Sequence, residues 1–131
     1  MAQDSGIARQ STWMTIDPSL AAEQFCYLTT TGRVTGNPHE IEIWFGVADG
    51  RLYMLAGARE KSDWVANLIK QPNVSIRIAG RTFDAVARVV DAETPEDAMA
   101  RKLLVEKYRS PRDDLSGWGQ TALPVAFDLS A

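Results

Sequence analysis

Cysteine and histidine each occur once in the 131 residues, as Cys26 and His39. One cysteine excludes a disulfide framework and cannot by itself make a zinc site. Cys26 lies in the apolar run Phe25-Cys26-Tyr27-Leu28 and reads as a small core residue. Any histidine-based triad would depend on His39 alone, and no serine stands in a nucleophile-elbow context. The zinc-protease, dinucleotide-fold and P-loop patterns are also missing. There is no excess of positive charge: the net charge is −3 and the pI near 5.1. A general nucleic-acid surface is therefore not expected, because nothing overall would displace counterions. No run approaches the roughly 20 apolar residues of a membrane helix. The start, Met1-Ala2-Gln3-Asp4-Ser5, has neither a basic region nor an apolar stretch. It does not read as a secretion signal, and a cytoplasmic location is expected.

What is present is a 45% apolar chain of single-domain size, expected to form one domain over residues 1–131. Residues 1 to 16 read as a loose lead-in, followed by a short helix started by Asp17-Pro18. Phe25 to Thr31 has strand composition and ends at a turn rich in Gly, Asn and Pro. His39 to Val47 then alternates with period two, Ile41, Ile43 and Phe45 on one face, Glu40, Glu42 and Trp44 on the other. Asp49-Gly50 predicts a hairpin into the strand Arg51 to Ala56. Ser62 is placed to cap a helix over Asp63 to Lys70, stopped by Gln71-Pro72-Asn73. A second hairpin is expected from Val74 to Val90, turning at Ala79-Gly80-Arg81. Thr94-Pro95-Glu96-Asp97 starts a helix reaching Tyr108. Ser110 to Gln120 reads as a polar linker and Leu123 to Leu129 as a closing strand. The pattern is mainly β (α+β): an antiparallel β-barrel of about six strands with short flanking helices, which the resemblance described below makes a split β-barrel.

Four constellations could carry chemistry. The loop Thr30 to Pro38 offers Arg33, hydroxyls and open backbone N–H groups to an anion, though such loops are also plain hairpin turns. Arg59, Lys61 and Ser62 precede a helix start and make a second anion seat, or else a solvated charged loop. Trp64 shares a helix side with Asn67 and Leu68, either as a wall for a planar ring or as a core anchor. Glu40 and Glu42 could form an acid/base pair, or simply face water.

The ordered set Leu28-Thr29-Thr30-Thr31-Gly32-Arg33, Gly36-x-Pro38 and Trp64-x-x-Asn67-Leu68-x-x-x-Pro72-x-Val74 resembles the deazaflavin (F420)-dependent nitroreductase family. That family belongs to the split-barrel flavin and deazaflavin oxidoreductases, and the likeness spans about Phe25 to Leu129. It implies F420, a deazaflavin with a phosphate and an acidic tail, as cofactor. Arg33, Thr35, His39, Arg59 and Lys61 would hold the anionic part. Ile43, Trp44, Ala56, Gly57, Trp64 and Asn67 would surround the ring. Val34, Thr35 and His39 replace a lysine, a serine and an arginine common in the family. FMN or FAD, with fewer charges to match, remain alternatives, as does a split-barrel protein that binds flavin, haem or lipid without turnover. The implied activity is hydride transfer to a small electron-poor molecule such as a quinone, enone or nitro compound. Tyr53, Tyr108 and His39 are the candidate proton donors, beside solvent. Pairing into homodimers is also implied.

Overall fold

The computed structural model describes residues 16–130; the expected lead-in therefore lies almost wholly outside the described residues. The chain runs α1 (Pro18–Ala21), β1 (Cys26–Thr31), β2 (Pro38–Ile43), β3 (Gly46–Ala48), β4 (Arg51–Ala56), α2 (Asp63–Lys70), β5 (Asn73–Ile78), β6 (Arg81–Val89), α3 (Pro95–Tyr108), α4 (Ser116–Thr121) and β7 (Leu123–Ser130). A 3-10 turn, Arg59–Lys61, leads into α2. The seven strands form one antiparallel sheet in the order β2-β1-β5-β6-β7-β4-β3.

Two expectations need correction. The run His39 to Val47 is not one strand. It breaks at Trp44-Phe45 into β2 and β3, which lie at opposite edges of the sheet. Three steps of extended chain reach roughly 11 Å, so this two-residue link requires the sheet to curl until its edges nearly meet. That is the split of the barrel, and it makes seven strands from the expected six. The polar segment Ser110 to Gln120 is not all linker either, since Ser116–Thr121 is helical and buries Gly119.

Both hairpin turns follow from local chemistry. Asp49 and Gly50 have φ of 54° and 75°, and Ala79 and Gly80 have 51° and 83°. Two positive φ values in succession match the twist of the flanking strands. Thr94 caps α3 by accepting from the Asp97 N–H at 3.1 Å, and Asp17 caps α1 through the Ser19 N–H at 2.9 Å. Ser62 occupies the capping position of α2, but its side chain bonds no backbone N–H there.

Two apolar clusters lie on opposite faces of the sheet. Leu28, Ile76, Met54, Val125 and Phe127 belong to the cluster inside the barrel, against which α2 packs Val65 and Leu68. Tyr53, Leu55 and Ala126 point outward and are covered by Ala100, Leu104 and Tyr108 of α3. β4 and much of β7 are therefore apolar on both faces, which explains their unbroken hydrophobic runs. Cys26 is fully buried inside, with its thiol pushed up to about 12 by that burial, as expected of a core residue.

Candidate functional site

The crossing Trp44-Phe45 has left the sheet, so its backbone groups need other partners. The end of α3 supplies them. The Tyr108 hydroxyl accepts from the Phe45 N–H at 3.0 Å, and its single proton is shared between the carbonyls of Gln24 (2.8 Å) and Phe45 (2.9 Å). The Lys107 ammonium donates to the same Phe45 carbonyl at 2.9 Å and to that of Ala21 at 3.1 Å. With Phe45 fixed, Trp44 lies flat on the Tyr108 ring, with centroids 4.2 Å apart and planes 2° apart. Trp118 of α4 meets Trp44 edge-on at 5.8 Å and 85°.

Trp44 and Trp118 line a groove of about 530 Å³ at the split, completed by Phe25, Glu42, Ile43, Leu55 and Leu115. Trp44 and Phe25 remain 38% and 40% exposed, large apolar surfaces left facing water. The groove adjoins the loop before α2: a Cβ placed on Gly57 would touch the Trp118 ring at 3.6 Å. Arg59 bonds the Thr121 carbonyl at 2.8 Å, which ties this loop to α4. Arg59 holds a left-handed φ of 53°, a conformation that side chains adopt at a cost of about 1 kcal/mol. Lys61 is exposed and, among the described residues, in no ion pair. Arg59 is also paired with the exposed Glu60 at 3.5 Å, so Lys61 and the first-turn N–H groups of α2, uncapped by Ser62, are the donors this stretch leaves open.

A second groove, of about 410 Å³, lies between the β1–β2 loop and α2. It collects Arg33, Thr35, His39, Trp64 and Asn67. Its polar groups are largely committed to one another. The buried Asn67 accepts from the Arg33 backbone N–H (3.2 Å) and guanidinium (2.8 Å), and donates to the Thr30 hydroxyl at 3.1 Å. Arg33 pairs with Asp63 at 3.1 Å, and Lys70 donates to the Arg33 carbonyl at 2.9 Å. An anion reaching Arg33 must displace Asp63. Trp64 is half-buried against the barrel core.

The sequence-derived residues thus divide. Ile43 and Trp44 line the split groove, with Gly57 against its Trp118 wall and Arg59 and Lys61 on the adjoining loop. Arg33, Thr35, His39, Trp64 and Asn67 line the second groove. Ala56 is buried in the barrel cluster and lines neither. Sequence reading missed Phe25, Leu55, Leu115 and Trp118, all brought to the split groove by the fold. A tryptophan inside an otherwise polar stretch was the available signal for Trp118. Of the proton-donor candidates, Tyr108 is pushed up to about 12 by burial and bonded to backbone. Tyr53 is also raised to about 12, by burial and then by its bond to Glu96 at 2.7 Å.

A curled antiparallel sheet with an aromatic groove at its split defines a protein of the split-barrel class. Among solved structures, the fold is similar to the heme storage protein HutZ from Vibrio cholerae, at 18% identity over 87% of each chain and a TM-score of 0.71. It is also similar to an F420-H2-dependent reductase, FDR-A, at 25% identity over 80% of this chain and 93% of that one, TM-score 0.62. A third, described as a domain-swapped dimer, matches at 26% identity over 80% and 79%, TM-score 0.63. The family model for F420H(2)-dependent quinone reductases matches residues 5–129, and the chain belongs to that family. Its cofactor is accordingly F420. The residues present suit such a group: aromatic and aliphatic walls for a planar ring, with a cationic loop alongside for its phosphate.

Proposed function

We propose that this protein is an F420H2-dependent reductase of small, flat, electron-poor molecules such as quinones, enones or nitro compounds. The observation that carries the reading is the aromatic groove held open at the split, continuous through Gly57 and Trp118 with the Arg59–Lys61 loop. Ile43, Trp44 and Trp118 would border the ring. Arg59, Lys61 and the start of α2 would hold the phosphate. Arg33, Thr35 and His39 would receive carboxylates of the acidic tail once Asp63 yields Arg33. When bound in its reduced form, F420 supplies the hydride, so the protein needs no strong acid of its own. The task of these residues is orientation and partial exclusion of water. Trp44 can do this because Tyr108 behind it and Phe45 beside it are fixed by hydrogen bonds. Water at the open groove provides the proton that completes reduction. A cytoplasmic enzyme that pairs into dimers fits this reading; the similarity to a domain-swapped dimer supports the pairing.

The test is parallel titration with F420, FMN, FAD and haem, followed by oxidation of F420H2 by a neutral naphthoquinone. Tight binding of F420 with enzyme-dependent oxidation is expected. Stable binding of haem or FMN with no F420 binding would instead make the protein a carrier or a flavoenzyme.

A further inference from the structure

We propose that Glu42 makes the split groove selective for uncharged acceptor rings over anionic ones. The inference rests on the reading above, in which the groove takes the acceptor beside the cofactor ring. Glu42 is the one charged residue among the seven that line it; the other six are apolar or aromatic. Its carboxylate is held in place, accepting a hydrogen bond from the hydroxyl of Tyr27 at 3.1 Å, its cross-strand partner. The neighbouring cation does not neutralise it. Arg77 lies over the Tyr27 ring, 4.3 Å from its centroid, and gives its ion pair to Glu40 at 3.1 Å. Among the described residues Glu42 has no ion pair of its own.

The groove is therefore electrically polar. A carboxylate stands on its β2 wall, while Arg59 and Lys61 stand on the loop that adjoins its Trp118 wall. An anionic cofactor tail is drawn toward the loop and away from Glu42. An acceptor entering beside Glu42 meets an apolar surface with one negative charge. A sulfonate or carboxylate on that acceptor is repelled, and the repulsion is modest because Glu42 is exposed and screened. A neutral ring loses nothing.

The experiment compares a neutral naphthoquinone with its sulfonated counterpart in wild type, Glu42→Gln and Glu42→Lys. Glutamine can still accept from Tyr27, so the fold should hold. Binding is read by quenching of tryptophan fluorescence and, separately, turnover by oxidation of F420H2. The preference for the neutral ring should drop about two- to fivefold in Glu42→Gln and further in Glu42→Lys, with the effect shrinking at high salt. The change should appear in Kd and KM rather than kcat. Glu106→Gln, on the exposed side of α3, should leave the ratio unchanged. An unchanged ratio in both Glu42 variants overturns the inference even if F420H2 is oxidised. Failure of the neutral ring to quench tryptophan overturns it too, because the groove then takes no acceptor. The expected ratios in binding without F420H2 oxidation would support the inference while sinking the reductase reading.

Discussion

The two grooves differ in what their side chains have left to offer. In the second groove the polar groups at its centre are already bonded within the chain: Asn67 to Arg33 and Thr30, Arg33 to Asp63, Lys70 to the Arg33 carbonyl. In the split groove most of the polar work lies behind the wall, where Tyr108 and Lys107 hold Phe45, and the facing surface is aromatic and aliphatic with Glu42 its one charged group. A satisfied network fixes structure, whereas exposed apolar surface held rigid from behind has free energy to give to a ligand. Residue types alone would rank the Arg33 loop above the Trp44 groove. The bonding partners are the reason the proposed reading puts the cofactor ring in the split groove instead.

The largest expected effect tests the scaffold role directly. Asn67→Ala removes three hydrogen bonds and strands the buried Thr30 hydroxyl. It should lower unfolding free energy by about 2–3 kcal/mol in urea titration. F420 affinity of the folded fraction should change little; a collapse of affinity without loss of stability would move the ring to the second groove.

Next comes the anion seat. Arg59→Ala combined with Lys61→Ala should weaken F420 binding by about 1–3 kcal/mol at low salt, measured by fluorescence titration. Arg33→Ala should weaken it less, because Asp63 and Asn67 already hold that guanidinium at 3.1 and 2.8 Å, whereas Glu60 approaches Arg59 only to 3.5 Å. The reverse ranking would place the phosphate at the β1–β2 loop.

The two tryptophans sharpen the contrast further. Trp44→Leu should lower F420 affinity and kcat/KM by about tenfold, in keeping with one lost aromatic contact of about 1 kcal/mol or slightly more. Its melting temperature should fall only slightly. Trp64→Leu should show the opposite balance, since Trp64 packs on the barrel core.

The smallest effect concerns the wall behind Trp44. Glu96, at the start of α3, receives two bonds from Arg88 (2.8 and 2.7 Å) and one from Tyr53. The Arg88 guanidinium, then the Tyr53 hydroxyl, hold its carboxyl well down, at about 2, against an opposing effect of burial. A lowered carboxylate pKa stabilises the fold above the unfolded value of about 4.5, and that stability is lost as pH falls toward 2. Melting temperature should therefore decline over this window, and Glu96→Gln should flatten the decline. Near-ultraviolet circular dichroism from Trp44 and Trp118 should change along with it, because α3 supports both.

Much of the architecture was legible because it depends on neighbours in sequence. Asp49-Gly50, Thr94-Pro95 and Asp17-Pro18 act within a few residues, and each turn or helix start lies where its local chemistry puts it. The break at Trp44-Phe45 was not legible. Ile41, Ile43 and Phe45 keep a strand-like alternation through the point where the chain crosses from one sheet edge to the other. The partners that make the crossing affordable, Tyr108 and Lys107, are 63 and 62 residues away.

By itself the sequence determined the antiparallel, mainly β character, the hairpins, the helix starts and the family, because these rest on short-range propensity and ordered motifs. Only the tertiary structure decided that Trp44 stacks on Tyr108, that Trp118 closes the same groove, and that Arg33 and Asn67 are bonded to each other. Those facts depend on contacts between distant segments. Such contacts exist only once the sheet has curled and α3 and α4 have packed on its outer face.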